Sequence, residues 1–264
     1  METASVTPAV PVKFGTSALI VGEWGAGKTT CACTAPGPIV VLDMDNKVRK
    51  MINIRERVNK GEIICLPIEE QLSSMGLARM ATEENKHGAE KVTQARPKGY
   101  LKFVEYVEQL EKTQCILPDG RKIGTVVMDS YTTVTEHLKR LILACNSKTN
   151  MTQPLYGTLL SNYEEINNTL LRLTRFGVNV IFICHESFEK DELSGVVSIR
   201  PLLEGQMKFK IGKDFEEVYF MIKTVTKQGA TYKMLTVGDG LRQGRTSRTL
   251  PLEVEPKLSK IWSN

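Results

Sequence analysis

The sequence contains no apolar run approaching the ~20 residues that a membrane-spanning helix needs. Residues 1–15 also lack the basic segment followed by an apolar core that marks a signal peptide. These absences predict a cytoplasmic protein that does not contact a membrane. No pair of its six cysteines has C-x-x-C spacing, which argues against a zinc or disulfide framework and predicts buried, reduced thiols. They are Cys31, Cys33, Cys65, Cys115, Cys145 and Cys184.

Net charge is also small for 264 residues, and it is unevenly distributed. The formal charge is +5, yet residues 1–206 carry 24 basic and 24 acidic side chains. The whole excess lies in residues 207–264, which carry 11 basic and 6 acidic side chains. Such an asymmetry is compatible with a face that binds a polyanion, and also with ordinary surface solvation.

Short runs of β-branched and other apolar residues recur along the chain and predict strands buried on both faces, as in a parallel sheet. They are Ala18–Val21, Ile39–Leu42, Ile63–Ile68, Thr125–Met128 and Val178–Cys184. Apolar residues at helical spacing over 100–110 and 155–170 predict helices between these strands, and therefore an α/β fold whose sheet is flanked by helices. Two further strand-like segments, Val218–Val225 and Thr231–Val237, predict an antiparallel C-terminal hairpin.

We interpret residues 15–250 as one α/β domain, in which 187–250 form a C-terminal β elaboration of the same sheet. Residues 1–14 and 251–264 are interpreted as tails. Residues 83–98 are charged and are interrupted by Gly88 and Pro97, which predicts a mobile loop or a frayed helix.

Residues 22–29 follow the first predicted strand and match the phosphate-binding pattern G-x-x-x-x-G-K-[ST], the P-loop, at every fixed position. Glycines in such a loop let backbone N–H groups approach a phosphate, and the helix that follows adds its positive end. Lys28 is expected to reach the β- and γ-phosphates of ATP, and the hydroxyl of Thr29 to bind Mg²⁺. The residues predicted to bind nucleotide are Gly22, Glu23, Trp24, Gly25, Ala26, Gly27, Lys28, Thr29 and Thr30.

Polar side chains end three other predicted strands, at the edge where open α/β sheets bind ligands. Asp129 follows Thr125–Met128 and is predicted to be a magnesium ligand, with the cap of the next helix as the alternative. One of Asp43 and Asp45 is a candidate for polarising the attacking water, and helix capping is equally compatible with either. His185 follows Val178–Cys184 and is predicted to sense the γ-phosphate, although a surface histidine is the alternative.

The order of these motifs, GEWGAGKT, LDMD, VVMDS and IFICHE before a C-terminal hairpin, resembles the RecA-like ATPases. It is especially similar to the phage nucleotide-binding proteins classed with RecA-like single-strand annealing proteins, and a phage-encoded protein would act in the host cytoplasm. The resemblance covers residues 15–250 and implies a P-loop NTPase that hydrolyses ATP with Mg²⁺. In that family the residue at the position of Asp45 activates water and is usually glutamate, which is one methylene longer, and the residue at the position of His185 is the sensor.

The same family uses basic residues near the end of its last hairpin to reach the nucleotide of a neighbouring subunit. The candidates here are Arg242, Arg245 and Arg248, which implies catalytic arginines and a homo-oligomer with shared ATP sites. The family's DNA-binding loops correspond to residues 145–155 and 186–204, and the second of these is acidic on balance. The stretch 223–248 is more basic and is the better candidate for contacting phosphates.

The resemblance therefore implies single-stranded DNA, and a single-strand-binding protein, as partners in recombination or annealing. Two other functions remain open at this point. One is a small-molecule kinase acting on nucleotides, although such kinases usually have an Arg-rich lid and residues 83–98 contain only Arg96. The other is a nucleotide-binding switch with negligible hydrolysis, which the aspartate at position 45 makes plausible.

Overall fold

The computed structural model describes residues 13–69, 98–146, 148–190, 192 and 195–262. The loop expected at 83–98 lies outside the described residues except for its last position. Among the helices of the described residues, none is long and apolar enough to cross a membrane.

A nine-stranded sheet forms the centre of the fold, in the order β3-β2-β4-β5-β1-β7-β8-β9, with β6 paired to β5. The first six strands in this order run parallel to one another, whereas β8, β9 and β6 pair antiparallel. The strands are β1 (Ser17–Gly22), β2 (Ile39–Asp43), β3 (Ile63–Pro67), β4 (Thr125–Asp129), β5 (Asn179–Lys190), β6 (Val197–Pro201), β7 (Glu217–Thr226), β8 (Gly229–Leu235) and β9 (Glu253–Val254). The predicted fold class, a mostly parallel sheet with an antiparallel C-terminal hairpin, is confirmed.

Helices cover both faces of the sheet and bury two apolar clusters against it. The longer helices, α3 to α5, pack on one face, and the short helices α1, α2 and α7 pack on the other. The helices are α1 (Lys28–Ala32), α2 (Arg55–Asn59), α3 (Gly99–Lys112), α4 (Tyr131–Cys145), α5 (Gln153–Leu171), α6 (Met207–Lys210) and α7 (Leu258–Ile261). Because β1, β2, β4 and residues 180–184 of β5 are buried on both faces, their sequences are unbroken apolar runs up to the strand ends.

The strand register brings the predicted site residues to one edge of the sheet. Gly22 at the end of β1 pairs with His185 of β5 on one side and with Met221 of β7 on the other. Asp129 at the end of β4 pairs with Asp43 at the end of β2. The carboxyl ends of five neighbouring parallel strands therefore meet around the P-loop.

Three expectations need correction. Strand β5 was expected to end at Cys184 but continues to Lys190, because its outer half pairs antiparallel with β6. Residues 251–264 were expected to be a tail, yet β9 pairs with β8, and α7 buries Leu258 and Ile261 against the sheet. A helix of four residues is too short to produce a visible periodicity. Of the six cysteines, Cys145 is exposed and the other five are buried.

Candidate nucleotide-binding site

The P-loop is shaped by glycines that no other residue could replace easily. Gly25 and Gly27 have φ angles of +74° and +84°, a left-handed conformation that favours glycine. At Gly22 the restriction is steric, because a Cβ atom there would lie 2.9 Å from both the Cβ and the carbonyl oxygen of Met221. Helix α1 starts directly after Gly27, so its N-terminus faces the cradle that the loop forms.

Lys28 is buried, with 6% of its surface exposed. Its ammonium donates hydrogen bonds of 2.8 Å to the carbonyl oxygens of Gly22 and Glu23, and its Nζ lies 3.3 Å from Nδ1 of His185. Burial lowers the pKa of Lys28, while the nearby carboxylates of Asp129, Glu186 and Asp45 oppose that change. The lysine is thus held at the base of the loop, with carboxylates around it.

Thr29 and Asp129 come together as predicted, with the threonine hydroxyl donating a 2.7 Å hydrogen bond to Asp129 Oδ2. Two hard oxygen donors at the start of a helix suit Mg²⁺, which usually takes one or two protein ligands and completes its shell with water and phosphate oxygens. Among the described residues no cluster of three His, Cys, Asp or Glu side chains could hold a metal ion. The donor set therefore fits a magnesium ion that arrives with a triphosphate better than a permanently bound metal.

Burial raises the pKa of Asp129 to about 6; the Thr29 hydrogen bond and Lys28 act against this rise, whereas Asp45 and Asp43 add to it. Because the folded pKa lies above the unfolded one, this group favours folding most below pH ~4, and that contribution is lost as the pH rises through ~6. We therefore expect Asp129→Asn, without nucleotide or Mg²⁺, to be more stable than the wild type at pH 8, by up to about 3 kcal/mol.

Denaturant unfolding at several pH values measures this difference. The gain should shrink as the pH falls below ~6 and should vanish near pH 4. Asp119→Asn is the control, since Asp119 is an exposed carboxylate paired with Arg121 and should give no gain at pH 8. A pH-independent difference for Asp129→Asn would contradict a buried, ionisable carboxylate at this position.

The two aspartates that follow β2 have different roles. Asp43 is buried and accepts hydrogen bonds from the backbone N–H groups of Lys47 and Val48, so it caps the turn that follows. Asp45 lines the pocket beside the P-loop. Its carboxylate accepts a 2.6 Å hydrogen bond from the Thr133 hydroxyl and forms a 3.1 Å ion pair with Lys47. Capping thus applies to Asp43, and Asp45 is left as the candidate for orienting water.

Hydrogen bonding also sets the charge of Asp45. Burial alone would raise its pKa, but the hydrogen bonds from Thr133 and Lys47 outweigh burial and lower it. The carboxyl group is therefore ionised at neutral pH. Thr133 was not among the predicted site residues, although its position three residues after Ser130, the N-cap of α4, could have suggested that it faces this edge.

His185 lies beside Lys28 at the end of the buried part of β5. Its backbone N–H donates a 3.1 Å hydrogen bond to the hydroxyl of Thr132, which fixes the strand end against α4. Burial, and then the charge of Lys28, lowers the pKa of the imidazole. A neutral ring next to the P-loop lysine can exchange hydrogen bonds with a phosphate oxygen without adding charge.

These residues line one pocket of about 500 Å³ at the carboxyl edge of the sheet. Sequence reasoning missed several side chains of this pocket, because they belong to segments without a motif. The full lining is Trp24, Gly25, Gly27, Lys28, Thr29, Thr30, Cys31, Asp45, Lys47, Met51, Asn53, Asp129, His185, Met221, Tyr232 and Pro256.

Each of the three candidate arginines contacts groups of its own chain. Arg245 donates to the carbonyl oxygen of Phe215, and Arg248 pairs at 3.5 Å with Glu217. Glu217 is a buried carboxylate at the amino end of β7, at the edge of the sheet opposite the P-loop. The hydroxyls of Thr246 and Ser247 donate hydrogen bonds to it. Arg242 pairs at 2.8 Å with Asp239. None of the three lines the P-loop pocket of its own chain, and a role in a neighbouring subunit's site stays a prediction.

The basic stretch 223–248 does not form a continuous track either. Lys233 pairs with Glu253 at 2.6 Å, and the three arginines are held as described. Lys223 and Tyr232 instead face the P-loop from the β7–β8 hairpin. The stretch is therefore divided between opposite edges of the sheet, which its proximity in sequence does not reveal.

The solved structures that are similar to the chain include a KaiC-like protein and a flagellar accessory protein. A KaiC-like protein from the archaeon Pyrococcus horikoshii OT3 is 13% identical, with a TM-score of 0.42, over 84% of this chain and 78% of that chain. The flagellar accessory protein FlaH from Methanocaldococcus jannaschii is 11% identical, with a TM-score of 0.47, over 94% of this chain and 89% of that chain. No curated protein matches the sequence.

The strand order itself is of the RecA-like P-loop type, since β5 lies between the P-loop strand β1 and the Asp129 strand β4. A family model for an AAA domain matches residues 15–247. This range includes the P-loop, Asp45, Asp129, His185 and every strand except β9. The chain therefore belongs to the AAA_24 family of AAA domains.

Proposed function

We propose that the chain is a Mg²⁺-dependent ATPase that acts on single-stranded DNA in recombination or annealing. One observation carries the ATPase part of the proposal. Lys28, the Thr29–Asp129 pair and Asp45 line the same pocket, so groups suited to phosphate, metal and water converge there. A purely structural loop would not need all three.

Each side chain would have a distinct role in hydrolysis. Lys28 stabilises the negative charge that develops on the transferring phosphoryl group. Thr29 and Asp129 would hold Mg²⁺, which when bound neutralises charge on the phosphate oxygens. Asp45, kept ionised by Thr133 and Lys47, orients a water molecule and can accept its proton. His185 contacts the Lys28 side of the pocket as a neutral hydrogen-bonding group.

The rest of the pocket suits a nucleoside. Met51, Tyr232 and Pro256 supply apolar surface for a base. Asn53 lies next to α1, where its amide donates a 3.0 Å hydrogen bond to the Thr30 hydroxyl. An amide and a hydroxyl at this position can bond to ribose or base atoms. A nucleoside triphosphate is therefore the proposed substrate.

The β5–β6 ribbon supports the proposal of a DNA partner. Phe188 of β5 is 70% exposed, and an exposed aromatic ring can stack on an unpaired base. Lys190 is exposed two residues further on, and Glu189 is neutralised by an ion pair with Lys208. Phe188 follows His185 by three residues on one continuous strand, a rise of about 10 Å. A strand bound to the ribbon would thus act close to the ATP site.

We expect an oligo(dT) to stimulate ATP hydrolysis by the wild type, and Phe188→Ala to weaken the apparent affinity for the oligonucleotide about tenfold or more with the basal rate unchanged. Phosphate release measured against oligonucleotide concentration tests this. Phe14→Ala is the matched control, since Phe14 is also exposed but precedes β1 at the opposite edge of the sheet.

Salt dependence adds a second readout. Each phosphate contact should contribute ~0.7 to the slope of log affinity against log salt concentration. Hydrolysis that oligo(dT) leaves unchanged would contradict the DNA proposal while leaving the ATPase intact. ADP formed only with a small phosphate acceptor would identify a kinase instead, and binding without turnover would identify a switch.

A further inference from the structure

The pocket carries few positive charges for a triphosphate ligand. Lys28 and Lys47 are the only cations in its lining, among the described residues. Lys47 is 72% exposed and already pairs with Asp45. Asp45 and Asp129 line the same pocket, so its charges are evenly matched before any ligand enters. A site that discriminates for a triphosphate benefits from a further cation near the terminal phosphate.

The β7–β8 hairpin extends past the P-loop, and one side of the hairpin lies against the loop. Gly22 pairs with Met221, and β7 continues for five residues past that point before β8 returns. Met221, Lys223 and Val225 point to the same side of β7, and Tyr232 pairs directly with Lys223 across the hairpin. This side of the hairpin faces the loop.

Two close approaches fix the position of the hairpin relative to the loop. A Cβ atom on Gly27 would lie 3.5 Å from Cδ1 of Tyr232 and 3.8 Å from Cε of Met221. A Cβ atom on Gly25 would lie 3.6 Å from Nζ of Lys223. The ammonium group of Lys223 is therefore directly beside the P-loop, next to the pocket lining rather than within it.

Gly25 lies at the terminal-phosphate end of the cradle. The P-loop lysine binds the β- and γ-phosphates, and the Nζ atom of Lys28 lies against the carbonyl oxygens of Gly22 and Glu23. This first part of the loop is thus where the last phosphates are bound. The Lys223 side chain is exposed and has no hydrogen bond or ion pair to any other described residue, so its charge is available.

We infer that Lys223 binds the γ-phosphate of the bound nucleotide from the same chain and makes the site prefer triphosphates to diphosphates. The inference rests on the proposed function, because it concerns the ligand of the same pocket. Tyr232, its cross-strand neighbour, keeps the hairpin against Gly27. The hairpin that sequence analysis assigned to DNA binding thereby becomes part of the nucleotide site.

Calorimetric titration with AMP-PNP and with ADP, both in the presence of Mg²⁺, tests the inference. Lys223→Ala should weaken AMP-PNP binding about 10- to 100-fold, as expected for the loss of a charge-assisted hydrogen bond, and change ADP binding less than about threefold. Lys223→Arg should keep most of the preference. Lys227→Ala removes the same charge from the tip of the same hairpin and should change neither affinity.

The outcomes separate this inference from the proposal on which it rests. If the wild type bound neither nucleotide, the proposed function would fail and the role of Lys223 with it. If the wild type bound both and Lys223→Ala kept the same ratio of affinities, only the role of Lys223 would be overturned. Equal losses for both nucleotides would indicate a structural effect on the hairpin and would also overturn it.

Discussion

Replacing Lys28 with alanine is expected to reduce the rate of ATP hydrolysis at least ~10²-fold, the usual loss when one preorganised donor is removed from developing negative charge. No other described cation can take its place: Lys47 is bound to Asp45, and Lys223 reaches the loop at Gly25 rather than at the carbonyl oxygens of Gly22 and Glu23, where the Lys28 ammonium lies. The effect extends to Asp129, because Lys28 is one of the groups that keep its pKa from rising further. Steady-state phosphate release measures the loss.

The fold should survive this change. Lys28 contributes hydrogen bonds to two carbonyl groups of the loop and is not part of either apolar cluster, so circular dichroism should match that of the wild type. Lys60→Ala is the control, since Lys60 is an exposed lysine at the C-terminal end of α2 that pairs with Glu56. Turnover of Lys28→Ala near the wild-type rate would refute the assignment of the P-loop.

The second large effect is expected for Asp45→Asn, which should lower hydrolysis by about 10²- to 10⁴-fold, the range contributed by a positioned general base. The amide keeps the size of the side chain and can still accept from Thr133, but it cannot take a proton. Because Asp45 bonds to Thr133 and Lys47 rather than to the Thr29–Asp129 pair, the affinity for Mg²⁺ and nucleotide should change less than about threefold. Single-turnover rates and equilibrium binding separate the two quantities.

Thr133→Val gives an independent check on the same carboxylate. Without the hydroxyl donor the pKa of Asp45 should rise, so the acid limb of the pH–rate profile should move to higher pH while the rate at high pH is retained. Thr135→Val, another buried threonine on α4 whose hydroxyl bonds to the backbone of Thr132, should leave the profile in place. An unshifted profile for Thr133→Val would mean that Asp45 is not the titrating base.

The parts of the site that could be predicted are those encoded within a few residues. The P-loop is a contiguous pattern, and Asp129 and His185 each follow an apolar run that could only be a buried strand. The choice between Asp43 and Asp45 could not be made in this way. It depends on backbone N–H groups at Lys47 and Val48 and on a hydroxyl from α4, which is distant in sequence.

The positions of the basic residues in 223–248 could not be predicted from local sequence either. Lys223 and Arg248 belong to one charged stretch, but β7 runs across the whole height of the sheet and separates them. Lys223 reaches the P-loop because β7 pairs in parallel with β1, and Arg248 is held at the other edge by Glu217. The positions of the two residues thus depend on strand register and on a buried carboxylate, and a local pattern of charges reveals neither.

Trp24 gives the loop an optical property of its own. It is one of two tryptophans in the chain; it lies within the P-loop at 78% exposure, whereas Trp262 is partly buried beside α7. An indole in water emits at longer wavelength than one that is covered, so the two side chains are spectrally distinct. A Trp262→Phe protein would carry a single tryptophan, between Glu23 and Gly25, and closure of the loop around a ligand could be followed in real time through its emission without any attached dye.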